Sequence, residues 1–218
     1  RLRHRLLVRL LRAVERGVPM LGICNGFQVM VKLGLLPWPR GWDAADAEVA
    51  PGPAQSVTLT DNRSGSFVTR WTRLRSEPAG PCVWTRALAD SHDTPAAFEL
   101  PVAHAEGRFT APPDVLDQLD HQGLVPLRYE PDDNPNGSDR DIAGICDPTG
   151  LIFGLMPHPE RYVTANQHYA WSRLVHTRAD EPEPVGLRLI RAGVVAAGAA
   201  ASGVGAGDPT MAQPTPGR

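Results

Sequence analysis

The chain has 218 residues, 42% of them hydrophobic, a formal charge of −2 and three cysteines. That length and apolar content suffice for one core, and a charge so close to neutral excludes bulk electrostatic binding to nucleic acid. No apolar run reaches the length of a membrane span, and no secretory signal precedes Cys24, Cys82 and Cys146, so a reducing, cytoplasmic setting with free thiols is expected.

Leu2, Leu6, Leu10 and Ala13, with Leu7, Leu11 and Val14, recur at helical spacing and stop at Gly17. This predicts an amphipathic helix whose apolar stripe covers a sheet. Its arginines also suit a transit peptide, but serine is absent and the pattern runs directly into the next element, which favours a surface helix. Val18 to Leu21 reads as a strand and Phe27 to Leu33 as a helix ended by Gly34-Leu35-Leu36-Pro37. Between them, Gly22-Ile23-Cys24-Asn25-Gly26-Phe27-Gln28 places a thiol on a strand-to-helix elbow. Such a turn strains its central residue and leaves little room beside it, which explains the two glycines. The following helix N-terminus is expected to favour thiolate over thiol and to offer a backbone donor to an oxyanion. A buried structural cysteine remains the competing reading of the elbow by itself.

A polar, proline-rich connection follows Pro37. Strands are expected at Ser56 to Thr60, Leu100 to His104 and Leu124 to Tyr129, with a short helix at Asp114 to Leu119. Asn134-Pro135-Asn136-Gly137-Ser138 is a dense turn signal, and Ile142 to Cys146 with Leu151 to Met156, joined by Asp147-Pro148-Thr149-Gly150, predicts a hairpin. Strands mixed with helices, without an internal repeat, point to an α/β fold. One domain is expected over residues 1–195, and residues 196–218, rich in Ala, Gly and Pro, are expected to form a disordered tail.

Directly after the hairpin comes Pro157-His158-Pro159-Glu160-Arg161. Proline on each side of His158 favours extended backbone, in which residues two apart share a side, so Glu160 can reach the His158 ring. A carboxylate on one ring nitrogen leaves the other free to take a proton from a thiol. Alone this is a surface turn. With the Cys24 elbow it becomes a Cys24–His158–Glu160 constellation, since a nucleophile needs a base and the base an orienter.

The chain resembles the class I glutamine amidotransferases, and within them the glutaminase component of phosphoribosylformylglycinamidine synthase. The resemblance rests on Gly22 to Gln28, Gly34 to Pro37, Ser64-Gly65-Ser66-Phe67 with Arg70-Trp71, Pro101-Val102-Ala103-His104, Glu106-Gly107-Arg108-Phe109, Asn134 to Ser138, and Gly154-Leu155-Met156-Pro157-His158-Pro159-Glu160-Arg161. It implies a three-layer, flavodoxin-like open sheet, mostly parallel, with an added antiparallel hairpin. It implies that Cys24 attacks the carboxamide of glutamine, that His158 is general base and then acid, and that Glu160 orients it. Asn25 would supply an oxyanion N–H, and Gln28 and His104 would line the glutamine pocket, although a structural role for His104 suits it equally. The implied partner is an ATP- and Mg-dependent synthetase subunit, with room for a small third subunit, which turns formylglycinamide ribonucleotide into the amidine during purine synthesis. This chain has no phosphate-cradling glycine loop, so no metal or cofactor is assigned to it.

Three departures qualify the resemblance. The family places the first sheet strands and a glycine-rich loop with a second oxyanion N–H ahead of the cysteine, so an N-terminally incomplete chain is expected. Loss of one such donor costs about 2.7 to 4 kcal/mol of transition-state stabilisation. Ala105 stands where the family has glycine, which would add strain if that position needs positive φ. Beyond Trp171 no motif is recognisable. Two other readings stay open at this point: a cysteine hydrolase of the same fold acting on peptides or γ-glutamyl conjugates, and a truncated, non-catalytic docking module.

Overall fold

The computed structural model describes residues 2–38, 55–77, 80–89, 98–173 and 183–201. Helix α1 (Leu2–Glu15) forms where the leucine spacing places it, with Leu11 in the core. Gly17, at φ 68°, closes it: Gly17 N–H donates to Val14 O (2.8 Å) and Val18 N–H to Ala13 O (3.0 Å). A Cβ disfavours that left-handed conformation, so glycine sets the stop. Strand β1 (Met20–Ile23) starts two residues later than the apolar run predicts, because Pro19 has no N–H for a ladder. Helix α2 (Asn25–Leu33) follows and ends on Gly34 as expected.

Strand β2 (Thr58–Asp61) pairs antiparallel with β5 (Glu106–Thr110) in a small sheet of their own. The larger sheet contains β3 (Val68–Ser76), β4 (Phe98–His104), β6 (Leu127–Tyr129), β7 (Ile142–Cys146) and β8 (Ile152–Leu155), in the order β1-β8-β7-β6-β3-β4. The α/β class and the antiparallel hairpin are as the sequence indicates. The sheet is mixed rather than mostly parallel, however: among the described residues β1 and β8 run parallel, and the other four pairings are antiparallel. The reason lies in the connections, since tight turns such as 147–150 can join only antiparallel neighbours. Buried Asp147 shapes that turn by accepting from Thr149 N–H (3.1 Å), the Thr149 hydroxyl (2.6 Å) and Ile152 N–H (2.9 Å).

Strand β4 is an outer strand, which tolerates Pro101. The sheet curls enough to bring it back to the far side: His158 N–H, just beyond β8, donates to Pro101 O (2.8 Å). Helix α2 packs on β1, β8 and β2. Gly154 lies beneath it, where a Cβ would stand 2.1 Å from the Phe27 ring. Phe27 in turn stacks toward Phe109 of the small sheet, ring centres 6.5 Å apart.

The turn 134–138 fastens the small sheet to the large one. Asn136 Nδ2 donates to Gly107 O (2.9 Å), Ser138 Oγ accepts from Phe109 N–H (3.0 Å), and Asn134 Oδ1 accepts from Gly137 N–H (2.8 Å). Helix α3 (Arg86–Ala89) and helix α4 (Pro113–His121) complete the middle of the chain. The last helix among the described residues, α5 (Val185–Ala201), packs on α3, on β4 and on the 3₁₀ turn Pro159–Arg161. Residues 196–201 are therefore helical rather than part of a tail, and the rest of the expected tail, 202–218, lies outside the described residues. So does most of the proline-rich connection after Pro37, at 39–54.

Candidate active site

Cys24 leaves β1 at φ 51° and ψ −107°, one of three non-glycine residues with positive φ among those described. Two backbone bonds hold it there: Cys24 N–H donates to Leu155 O (2.9 Å), and Cys24 O accepts from Gln28 N–H (3.1 Å). A residue kept in so unfavourable a conformation is over-determined by its surroundings, as at nucleophile elbows. Gly22 is needed by contact, since a Cβ there would lie 2.6 Å from Met30 Sδ and 2.9 Å from Phe27 N. Gly26 is not, because its Cβ position has nothing within 4 Å; crowding explains one of the two glycines.

The thiol is half-buried, with Sγ 4.0 Å from Ala103 O. Burial pushes its pKa up, and although Asn25 N–H and Arg161 pull it down, while Glu160 pushes it up, the net direction is upward. This corrects the expectation of a resting thiolate: desolvation outweighs the helix terminus. A base must therefore take the proton.

His158, the base expected from the sequence, lies at the same sheet end. Strands β1 and β8 are parallel neighbours with Ile23 beside Leu155, so Cys24 and the 157–160 segment both emerge from the C-terminal ends of adjacent strands. His158 is buried, its Nδ1 is 2.6 Å from Glu160 Oε1, and its Nε2 is buried without a hydrogen-bond partner among the described residues. The histidine–carboxylate pair is as the sequence predicts, but its geometry is not extended throughout: His158 caps the 3₁₀ turn Pro159–Arg161, which folds Glu160 back onto the ring. Arg161 Nε lies 3.5 Å from the same carboxylate oxygen.

The other expected residues take their places around the elbow. Asn25 contributes its backbone N–H, directed at Sγ, while its side chain is exposed. Gln28 Nε2 donates to Glu106 O (2.9 Å), tying α2 to the turn between β4 and β5. His104 is buried, with Nδ1 3.0 Å from Asn62 Oδ1. Since Asn62 Nδ2 donates to His104 O and Ser66 O, its Oδ1 is the acceptor, and His104 carries its proton on Nδ1. Burial, and after it the charge of His158, pushes the His104 pKa down to about 4, so the ring is neutral. Ala105 does not have positive φ, so the strain that alanine would bring there does not arise. Cys82 and Cys146 are buried, free thiols that hydrogen-bond to one another. Among the described residues no group of His, Cys, Asp or Glu suits a metal, and no helix is long and apolar enough to cross a membrane.

Two participants carried no assigned role in the sequence. Arg161 belonged to a motif, but its field at Cys24 depends on the 3₁₀ turn. Asn62 lies 42 residues from His104, and nothing in the local pattern links them.

Residues 1–194 match the model of the CobB/CobQ-like glutamine amidotransferase domain. Over 164 residues the chain is 41% identical to the phosphoribosylformylglycinamidine synthase subunit PurQ of Dehalococcoides mccartyi, covering 72% of this chain and 56% of that protein. With the PurQ subunit of Frankia casuarinae it shares 44% identity over 154 residues, 71% of this chain and 55% of that one. The chain thus spans little more than half the length of these relatives. A solved structure of PurLQS from Thermotoga maritima superposes with a TM-score of 0.59 at 28% identity, covering 87% of this chain and 67% of that one. With the family model matching nearly its whole described length, the chain belongs to the CobB/CobQ-like glutamine amidotransferases.

Proposed function

We propose that this chain carries the glutaminase centre of a phosphoribosylformylglycinamidine synthase, working in the cytoplasm with an ATP- and Mg-dependent synthetase subunit. The observation that carries the reading is the strained Cys24 elbow beside the His158–Glu160 pair, whose outer ring nitrogen has no hydrogen-bond partner among the described residues. Glu160 accepts from His158 Nδ1–H and so leaves Nε2 as the basic nitrogen. His158 takes the Cys24 proton as sulfur adds to the carboxamide carbon of glutamine, and Asn25 N–H faces the oxygen that gains charge. The same imidazolium then protonates the departing nitrogen, leaving ammonia and a γ-glutamyl thioester. Water, deprotonated by His158, cleaves the thioester to glutamate and restores the thiol. Ammonia passes to the synthetase, which replaces the formamide oxygen of formylglycinamide ribonucleotide with nitrogen.

The relatives named PurQ support this substrate and partner. The test compares native protein with Cys24→Ala, each with the synthetase subunit. Glutamine-dependent amidine formation should vanish in the variant while ammonia-dependent formation persists; retention of glutamine-dependent turnover would refute the assignment.

A further inference from the structure

Asn62, directly after β2, is buried; its O accepts from Gly65 N–H (2.8 Å) within its own turn, and its other polar atoms reach residues 104 and 105 as well as Ser66. Asn62 N–H donates to Ala105 O (2.8 Å), and Nδ2 to His104 O (2.8 Å) and Ser66 O (2.9 Å), while Oδ1 accepts from His104 Nδ1–H (3.0 Å). The β2–β5 register shifts between Thr60 and Asp61, an irregularity of the kind that re-aims the residues beside it. Three of these bonds end on the turn 103–106. That turn presents two carbonyls to the elbow: Ala103 O, 4.0 Å from Cys24 Sγ, and Glu106 O, which accepts from Gln28 Nε2 at 2.9 Å. The His104 ring is seated on Gly107, where a Cβ would stand 2.8 Å from Nδ1, so the ring cannot be built out from that side.

We propose that Asn62 is a positioning residue of the glutaminase site, fixing the 103–106 turn as the wall opposite Cys24 and holding His104 as the Nδ1–H tautomer, its Nε2 without a hydrogen-bond partner among the described residues. This rests on the glutaminase reading above. Truncating Asn62 strands the buried His104 carbonyl and the His104 ring N–H, and the turn relieves them by rotating, so the wall moves while the thiol stays. Binding then weakens more than the bond-forming step at sulfur.

The full chain, native, Asn62→Ala and Asn62→Asp, is treated with a chloroketone analogue of glutamine, and saturation separates the affinity constant from the limiting rate of alkylation at Cys24. Aspartate keeps the shape of asparagine and the acceptor for His104 but cannot donate to the two carbonyls. Both variants should need about tenfold or more analogue for half-saturation, the order expected for losing buried hydrogen bonds. Iodoacetamide, which needs no pocket, should still alkylate Cys24 in both, as read by peptide mass. Unchanged half-saturation in the two variants would overturn the role of Asn62 alone. Absence of saturation in the native chain, with iodoacetamide still reacting, would overturn the glutamine reading and this inference with it.

Discussion

His104 should refuse a proton over a pH range in which ordinary histidines accept one. Its folded value is about 4 against 6.5 for a free imidazole, chiefly because burial disfavours the charged ring and then because His158 is near. That gap corresponds to about 3 kcal/mol, or about 2 kcal/mol after allowance for solvent screening. The unfolded chain binds the proton first, so the native state is fully favoured above pH 6.5 and loses this contribution as the pH falls toward 4. The imidazole resonances of His104 should accordingly hold still through neutral pH and move near 4. Urea unfolding at pH 7 and at about pH 4.5 should show a smaller acid loss in His104→Asn than in the native chain, by about 2 kcal/mol, because the variant has no ring to protonate. A His104 midpoint near 6.5, or identical acid losses, would refute the burial argument.

Three other outcomes follow from the same geometry. Since burial raises the Cys24 pKa, its alkylation by iodoacetamide should still be accelerating at a pH where a free cysteine has levelled off; a plateau near neutrality would mean that the helix terminus wins after all. Glu160→Gln replaces the acceptor-only carboxylate with an amide that can turn either its oxygen or its NH2 to His158, so the tautomer is no longer fixed and the imidazolium loses its counter-charge; glutaminase kcat should fall by about 10² to 10⁴-fold with folding intact, as steady-state kinetics and circular dichroism can show. At Gly186 of α5 a Cβ would meet Pro159 O at 1.9 Å and Tyr162 O at 2.4 Å, both backbone atoms that cannot swing aside. Gly186→Ala should therefore cost about 1 to 3 kcal/mol in urea unfolding, and an unchanged midpoint would show that the helix simply slides.

What the sequence disclosed depended on whether the cause was local. Gly17, Gly34 and the 147–150 turn are set by their own backbone conformation, and those elements lie where the pattern puts them. The Cys24 elbow and the His158–Glu160 pair were legible for the same reason, each being a few consecutive residues. Strand β3 was missed because Arg70, Arg73 and Arg75 obscure its alternation; buried Thr72 and Leu74 mark its inner face, and Asp133 pairs with Arg70 and accepts from Arg73 N–H (2.6 Å). Strand β5 was hidden by Gly107, whose missing side chain makes room for His104. Helix α5 was unread because its small residues resemble a linker, whereas Gly186 and Gly193 are contact points: a Cβ on Gly193 would lie 2.0 Å from the Trp84 ring. The Cys24 thiol follows the same rule, since local sequence announces a helix terminus but not the burial that offsets it.

The stitch between His158 N–H and Pro101 O has a meaning beyond catalysis. An outermost strand leaves donors and acceptors open to any other chain in extended form, the usual seed of unwanted assembly. On β4 a proline removes one donor and the segment bearing His158 occupies an acceptor, so the candidate site also guards this border against self-association. A change that frees the segment would threaten solubility as well as turnover.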